Sequence, residues 1–524
     1  MSGSAVATSD PVRLVALLSD YLDAHPEAAL IEDGRVAFEL RAARSSVREQ
    51  HGRCLFELWG DEGNLLRTVV SAEARGDGLR LGVRRMGQSK PQRIDLVACS
   101  ERRLPTARDL ARRNFCRQIE RVLACRFYGA TVEPLRSVMD LEHSLGPAHV
   151  RGRIVQGGRV DAVLAVSAAE SPAAIDGALT AALLWRNLCR ERIDRRHHLA
   201  GLKLILPLGH AQLSVERLSW LRHAACELYT FDEATEELEE VEVGKIGNLK
   251  LRLVQAFPVA SALARAEDGV LHFLSLIPAE ERHRVEIRAH SPAEVGLHLH
   301  GLEFARVRQS YLPNSFTRAL ELSFGAGRNE TLLATESEPL CRALFAQLFA
   351  SRHPAGLSSD PLSRMEPERW LESELRKRLV ELLPGLIPDP VYAQLPAVGG
   401  GARGVLDLLG VDRHGRLVVV ELKTDEDLHL PLQALDYWMR VRELALDGQP
   451  NSFARLGYFA GHEVASLAPR LVMIAPALRI HPANEALLQC FSPEVEWELI
   501  ALNEDWRREL QVVFRKRGGG SMLA

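Results

Sequence analysis

Two carboxylates and one amine gather on a single hairpin in the last third of this 524-residue chain. The segment Gly404–Lys423 reads GVLDLLGVDRHGRLVVVELK, two β-rich runs on either side of Arg413-His414-Gly415. A three-residue hairpin loop needs a left-handed residue in its last position, and Gly415 supplies it. That loop pairs Asp412 with Arg416. Five residues back along each strand it sets Asp407 opposite Glu421. Like charges opposed on an antiparallel pair repel, and a cation between them removes the cost. Lys423 lies two residues beyond Glu421 and shares its face.

The elements on either side add to the set. The spacing predicts a helix from Pro367 to about Leu383, with Leu371, Leu375, Leu379, Leu382 and Leu383 as its apolar stripe. At ~100° per residue Glu372 lies ~50° from the centre of the stripe, pointing inward, where a bare carboxylate is expensive. Glu374, ~110° away, points toward solvent. Glu368 also falls near the stripe, and the helix dipole accounts for an acid in the first turn. A second helix is predicted from Pro431 to Leu446, where Gln433 and Tyr437 stand four residues apart and can face one cleft. Taken singly, each of these is an ordinary polar position. Their combination singles them out, and so does the lysine: 58 of the 65 basic residues are arginine. A compact ammonium fits beside a hydrated ion better than a flat guanidinium does.

Glu372 in RWLESEL, Asp407 in GVLDLLG, Glu421 and Lys423 in VVVELK, and Gln433 in LPLQALDYW make residues 370–505 resemble the PD-(D/E)XK nuclease superfamily. The resemblance implies a restriction-endonuclease-like α/β/α domain. It implies Mg²⁺ or Mn²⁺ on Asp407, Glu421 and the backbone carbonyl of Leu422, with Glu372 joining directly or through water. It gives Lys423 the task of orienting the attacking water or stabilising the transition state, and places Gln433 and Tyr437 in the cleft, Tyr437 towards nucleic acid. DNA is the expected substrate. Members of this family often dimerise to cut two strands, so a homodimer is an expected assembly.

Composition sets the frame. An apolar fraction of 46% with 26% charged residues is ordinary for a soluble globular protein. No apolar run approaches the ~18 residues of a membrane span. A net charge of −4 excludes a globally basic nucleic-acid binder, so any such contact comes from local patches. The first ten residues carry no secretory pattern, and the eight cysteines never fall at CxxC spacing. Reduced thiols in a cytoplasmic protein are the expectation.

The fold class expected is α/β and multidomain. A β-rich module spans 11–98 and an α/β domain 103–255. A mixed region covers 256–350, a Pro/Ser/Gly-rich linker 351–366, and the nuclease-like domain 367–516. Ala397–Arg403 is expected as a Gly-rich loop. The order helix, strand, hairpin, helix, strand, helix, strand occurs near 103–231 and again near 367–502, which reads either as a degenerate upstream copy of the same topology or as the chance recurrence common in mixed α/β chains. That copy lacks the acid/lysine set. Arg151 and Arg153 stand where an acid is expected, and could hold a phosphate backbone instead. Arg113, Arg117 and Arg121 line one face of the helix at 105–127 and read as a nucleic-acid contact, or as a solvated basic face. The functional expectation is a metal-dependent DNA endonuclease whose N-terminal half recognises or regulates. The alternative is a non-catalytic nucleic-acid-binding scaffold built on nuclease-like folds.

Overall fold

The computed structural model describes the chain apart from residues 1–6, 27, 33–34, 41–42, 51, 61–62, 76–77, 85–90, 98–104, 223–225, 244–252, 254, 312–317, 328–329, 356–359, 400–401, 448–451 and 521–524. It is mixed α/β, with several sheets and more than one domain. Two units separate: residues 1–157 with 165–170 and 233–237, and residues 158–164, 171–232 and 238–524. No helix among the described residues is long and apolar enough to cross a membrane.

The N-terminal sheet is built from β1 (Ala7–Thr8), β2 (Ala29–Glu32), β3 (Arg35–Glu39), β4 (Ala43–Gln50), β5 (Arg53–Gly60), β6 (Gly63–Arg75), β7 (Gly78–Arg84) and β8 (Gln92–Val97). Its order is β3-β2-β8-β7-β6-β5-β4, with β1 on β6. Helix α1 (Pro11–Ala24) is capped by Asp10 and buries Leu14 and Leu18 in the core of that sheet. Helix α2 (Pro105–Arg126) opens on Pro105, as the sequence predicts.

The upstream α/β segment runs β9 (Thr131–Val132), β10 (His149–Gln156), β11 (Arg159–Val166), α3 (Pro172–Asp176), α4 (Ala178–Arg192), β12 (His198–Pro207), α5 (Gln212–Leu218), β13 (Cys226–Asp232) and β14 (Glu237–Val241). The sequence suggests a single helix over Pro172–Arg190, but Gly177 divides it into α3 and α4. The next segment, 256–350, is helix α6 (Val259–Ser275) and an antiparallel meander of β15 (Val285–Ser291), β16 (Glu294–Leu299), β17 (Leu302–Tyr311), β18 (Arg318–Phe324) and β19 (Thr331–Leu332). Helix α7 (Glu338–Ser351) closes its core with α6.

After α8 (Pro361–Arg364) comes the C-terminal α/β segment: α9 (Pro367–Leu382), β20 (Tyr392–Gly399), β21 (Ala402–Val411), β22 (Leu417–Leu422), α10 (Leu430–Ala445), α11 (Ser452–Arg455), β23 (Arg470–Pro476), α12 (Asn484–Leu488), β24 (Trp497–Leu502) and β25 (Val512–Gly518). The Gly-rich loop expected at Ala397–Arg403 is instead the end of a hairpin. The β20–β21 ladder continues to Gly399 and Ala402, because pairing satisfies backbone groups that a loop would leave to water. Residues 400–401 lie outside the described residues.

The two six-stranded sheets share one strand order, β9 to β14 and β20 to β25, each in sequence. In both, the first two strands are antiparallel and the fourth and fifth are parallel. The two sheets thus share their strand order and these strand directions. The helices flanking the fourth strands meet reciprocally: α10 packs on α5, and α12 on α4. Just beyond α5 and α12, Leu221 pairs with Phe491. The Arg222 N–H donates to Cys490 O at 2.6 Å, and the Ser492 N–H donates to Trp220 O at 2.8 Å. Each segment offers the other the same surface it receives, the pattern of an isologous interface, here within one chain. Arg217 forks onto both Asp436 oxygens at 2.8 Å beside it, and Trp220 meets Trp438 edge-on at 5.0 Å.

Helix α9 lies between its own sheet and the meander. Its leucine stripe is buried as the spacing predicts. Its other side faces the β16–β17 turn, where a Cβ on Gly301 would stand 2.0 Å from Arg369 O, so only glycine lets the helix approach. Glu374, expected in solvent, instead accepts from His300 Nδ1 at 2.9 Å. Of the segment read as a linker, residues 356–359 lie outside the described residues, while Arg352 is fully buried. Its guanidinium donates to the carbonyls of Leu299, His300, Leu362 and Met365 at 2.7 to 3.0 Å and lies over the Trp370 ring at 4.6 Å. Removing such a donor strands several buried carbonyls at once. Arg352→Met is expected to lower unfolding free energy by about 3 kcal/mol or more, read from urea denaturation. A loss under about 1 kcal/mol would show that water replaces the guanidinium.

Candidate functional site

Strand β22 lies between antiparallel β21 and parallel β23, and all six of its residues are buried. A central strand of this kind reads as continuous apolar sequence, and Glu421 is the exception in LVVVEL. The register is the one the loop dictates: Leu408 with Val420, Leu409 with Val419, Gly410 with Val418 and Val411 with Leu417. Gly415 takes φ 77°, and a Cβ there would also meet Glu463 O at 2.6 Å. Continued one step, the register puts Asp407 across from Glu421.

The ladder stops at that step, and side chains take over. Asp407 Oδ2 accepts the Leu422 N–H at 2.9 Å. Glu421 is 4% exposed. Its Oε1 lies 3.7 Å from Lys423 Nζ, and its buried Oε2 has no hydrogen-bond partner. Lys423 Nζ also lies 3.5 Å from Glu368 Oε1, so the acid that the helix dipole could account for belongs to this cluster. Glu372 is fully buried. Its Oε1 accepts from Arg288 Nη1 at 2.9 Å, and its Oε2 from Gln394 Nε2 at 2.7 Å and Arg369 Nη1 at 3.3 Å. Gln394 Nε2 donates in turn to Asp407 Oδ1 at 3.2 Å. Glu372 thus reaches the acid pair through one amide.

Gln394 went unread in the sequence, though a signal for it existed. With β20 paired to β21, Ala393 faces Leu408 and Leu395 faces Leu406, which leaves Gln394 opposite Asp407. Arg288 had no local signal, because it lies on the meander 84 residues before its partner. Tyr437 stands near the acids, its hydroxyl held at the Val405 backbone. Gln433 is half-buried one turn earlier, and among the described residues no hydrogen bond joins its side chain to the acids.

Burial pushes the Asp407 carboxyl up to about 6, with the charges of Glu368 and Glu372 adding to it. Glu421 is driven well above the usual carboxylate range by burial and then by Asp407. Burial opposes the Lys423 charge, but Glu421, Glu368 and Asp407 outweigh it and hold the ammonium above its ordinary value. Burial raises Glu372 as well, against the pull of Arg288 and Arg369. The arrangement is short of positive charge at one point, between Asp407 and Glu421. Nearby, a cleft of 1210 Å³ is lined by Arg288, Arg369 and Gln394 among others, while Asp407, Glu421 and Lys423 are not on its wall.

Upstream, the strand in the place of β22 is β11, RVDAVLAV. Its one acid, Asp161, stands near its start and pairs with buried Lys203 at 3.6 Å. Arg151 and Arg153, where the sequence suggests a phosphate contact, both have partners within the chain. Arg151 is 4% exposed and donates to the carbonyls of Val138, Gly146 and His149, and Arg153 forks onto Glu133 at 2.8 and 2.9 Å. On α2, Arg113, Arg117 and Arg121 are exposed, and Arg121 pairs with Glu236 at 2.6 Å.

A buried acid whose folded pKa is raised costs little stability while protonated. It costs progressively more as pH climbs above its unfolded value of ~4.3. Glu421→Gln removes that ionisation. In EDTA it is expected to raise unfolding free energy by about 1–2 kcal/mol at pH 8 and by less at pH 5, measured by denaturant titration. An equal gain at both pH values would locate the effect in packing instead. No protein-family model matches the chain, and no curated protein matches it.

Proposed function

We propose that the chain is a metal-dependent nuclease that hydrolyses DNA phosphodiesters at a restriction-endonuclease-like C-terminal domain. One observation carries the reading: Glu421, across the hairpin from Asp407, keeps a buried oxygen with no hydrogen-bond partner, and Lys423 stands beside its other oxygen. Two carboxylates held together against their repulsion, with oxygen donors alone, fit a hard divalent ion. Asp407, Glu421 and the Leu422 carbonyl would hold Mg²⁺ or Mn²⁺. Bound there, the ion supplies charge neutralisation to a phosphodiester and acidifies water.

The chain's own groups do the rest. The Lys423 ammonium, kept protonated by Glu421 and Glu368, is placed to stabilise negative charge developing on the phosphate. Gln394 orients Asp407 and ties it to Glu372. Tyr437 on α10 stands within reach of the charges of Glu421 and Asp407. Among the described residues, β10 and β11 supply no counterpart to this acid set. A single set per molecule cuts one strand at a time. The α10/α12 face, a surface on which a second copy could dock, is already packed on α5 and α4. A non-catalytic nucleic-acid scaffold is the second reading, favoured by the cleft whose wall omits the acids.

Supercoiled plasmid incubated with protein and Mg²⁺ or Mn²⁺ is expected to accumulate open circles before linear product, and EDTA is expected to stop the reaction. Asp407→Ala and Lys423→Ala are each expected to lower the rate by about 10²-fold or more with unchanged circular dichroism. Undiminished cutting by either variant would sink the site, and binding without cutting by the wild type would favour the scaffold.

A further inference from the structure

A second cluster lies on the meander, built from different residues. β15, β16 and β17 bring His290, His298 and Glu303 together so that one ligand atom from each lies within 4.8 Å of the others. His298 and Glu303 are direct cross-strand partners, and His290 sits at the register irregularity between Ala289 and Ser291. His290 Nε2 is 3.4 Å from Glu303 Oε1. Two ligands of a tetrahedral zinc ion, each at ~2.0–2.1 Å, stand about 3.3 Å apart.

Two observations point to a ligand. His298 is 5% exposed, and its Nδ1 is buried without a hydrogen-bond partner. The space among the three side chains is kept open by Gly296. A Cβ there would stand 2.5 Å from His290 Nε2, 2.6 Å from Glu303 Oε1 and 2.7 Å from His298 Cε1. Arg306 forks onto Glu303 at 2.8 and 2.9 Å, which orients the carboxylate while leaving it lone pairs to spare.

We propose that His290, His298 and Glu303 form a zinc site on the wall of the 1210 Å³ cleft. Imidazole nitrogen selects a borderline transition ion over Mg²⁺, which takes oxygen donors. Three protein ligands leave a fourth position for water or an anionic ligand in the cleft, the pattern of a zinc ion that meets a ligand instead of one sealed for structure. The site shares no ligand with Asp407 and Glu421, so it stands or falls independently of the proposed nuclease.

The test uses the full chain, stripped with EDTA and moved to metal-free buffer. Zn²⁺ is titrated in competition with a chromophoric chelator, and Co²⁺ uptake is followed by its visible d–d absorption. One equivalent of Zn²⁺ is expected for the wild type and for Glu421→Gln. His290→Ala and Gly296→Ala are expected to bind about 100-fold more weakly or not at all. His290 is exposed, and circular dichroism checks that each variant is folded. The proposal is overturned if the wild type takes up no Zn²⁺, or if His290→Ala and Gly296→Ala bind as tightly as the wild type. Loss of the ion in Glu421→Gln with retention in Gly296→Ala would assign it to the acid pair and overturn the proposal equally.

Discussion

A carboxylate with no solvent contact has to be paired, and Glu372 is paired three times over. An ion removed from water loses several kcal/mol of hydration, roughly recovered only when its lone pairs are filled with good geometry. The donors come from three places: Arg288 on the meander, Arg369 one turn back on α9, and Gln394 on β20. Satisfying one side chain therefore fixes the helix against two sheets. Gln394 spends the same amide nitrogen on Asp407, so the position of the acid pair is tied to the burial of Glu372. The meander is thereby a supporting wall of the site and more than a domain placed before it. Its β16–β17 turn approaches α9 closely enough that residue 301 must be glycine, and Arg352 fastens the same corner through carbonyls from both sides.

The repeated topology has a consequence for how surfaces are covered. A helix layer on an α/β sheet exposes apolar residues that need a partner. Here α10 and α12 receive α5 and α4, and the backbone bonds of Arg222 and Ser492 answer each other across the contact. A chain that carries both halves of such an interface secures it at the effective concentration of a tethered partner. Charged groups of the upstream half are engaged in structure: Lys203 with Asp161 and Glu227, Arg153 with Glu133.

Like charge and its relief run through the C-terminal segment. Asp407 and Glu421 both have raised pKa values for the same first cause, burial; Glu368 and Glu372 add to the cost of Asp407, and Asp407 to that of Glu421. Lys423 offsets part of that cost from 3.7 Å and is itself held by Glu368. The proposed divalent ion is the partner that such an arrangement lacks. On the meander the logic is reversed: a buried, unpartnered imidazole and an oriented carboxylate surround a gap that a glycine keeps open.

How much of this was legible follows from the range of each interaction. The sequence by itself determined the hairpin register, because a three-residue loop ending in glycine and a side-chain period of two leave one way to align Asp407 with Glu421. It also determined the leucine stripe of α9 and the inward turn of Glu372, since both follow from helical periodicity, and it suggested the repeated element order. Only the tertiary structure decided who meets Glu372, why Glu374 is not in solvent, that Glu368 leans on Lys423, and that Arg151 and Arg153 are occupied. Those outcomes depend on which surface covers a helix or strand, and that surface is supplied by segments up to 84 residues distant. Local pattern states which faces must be buried, whereas only packing states against what.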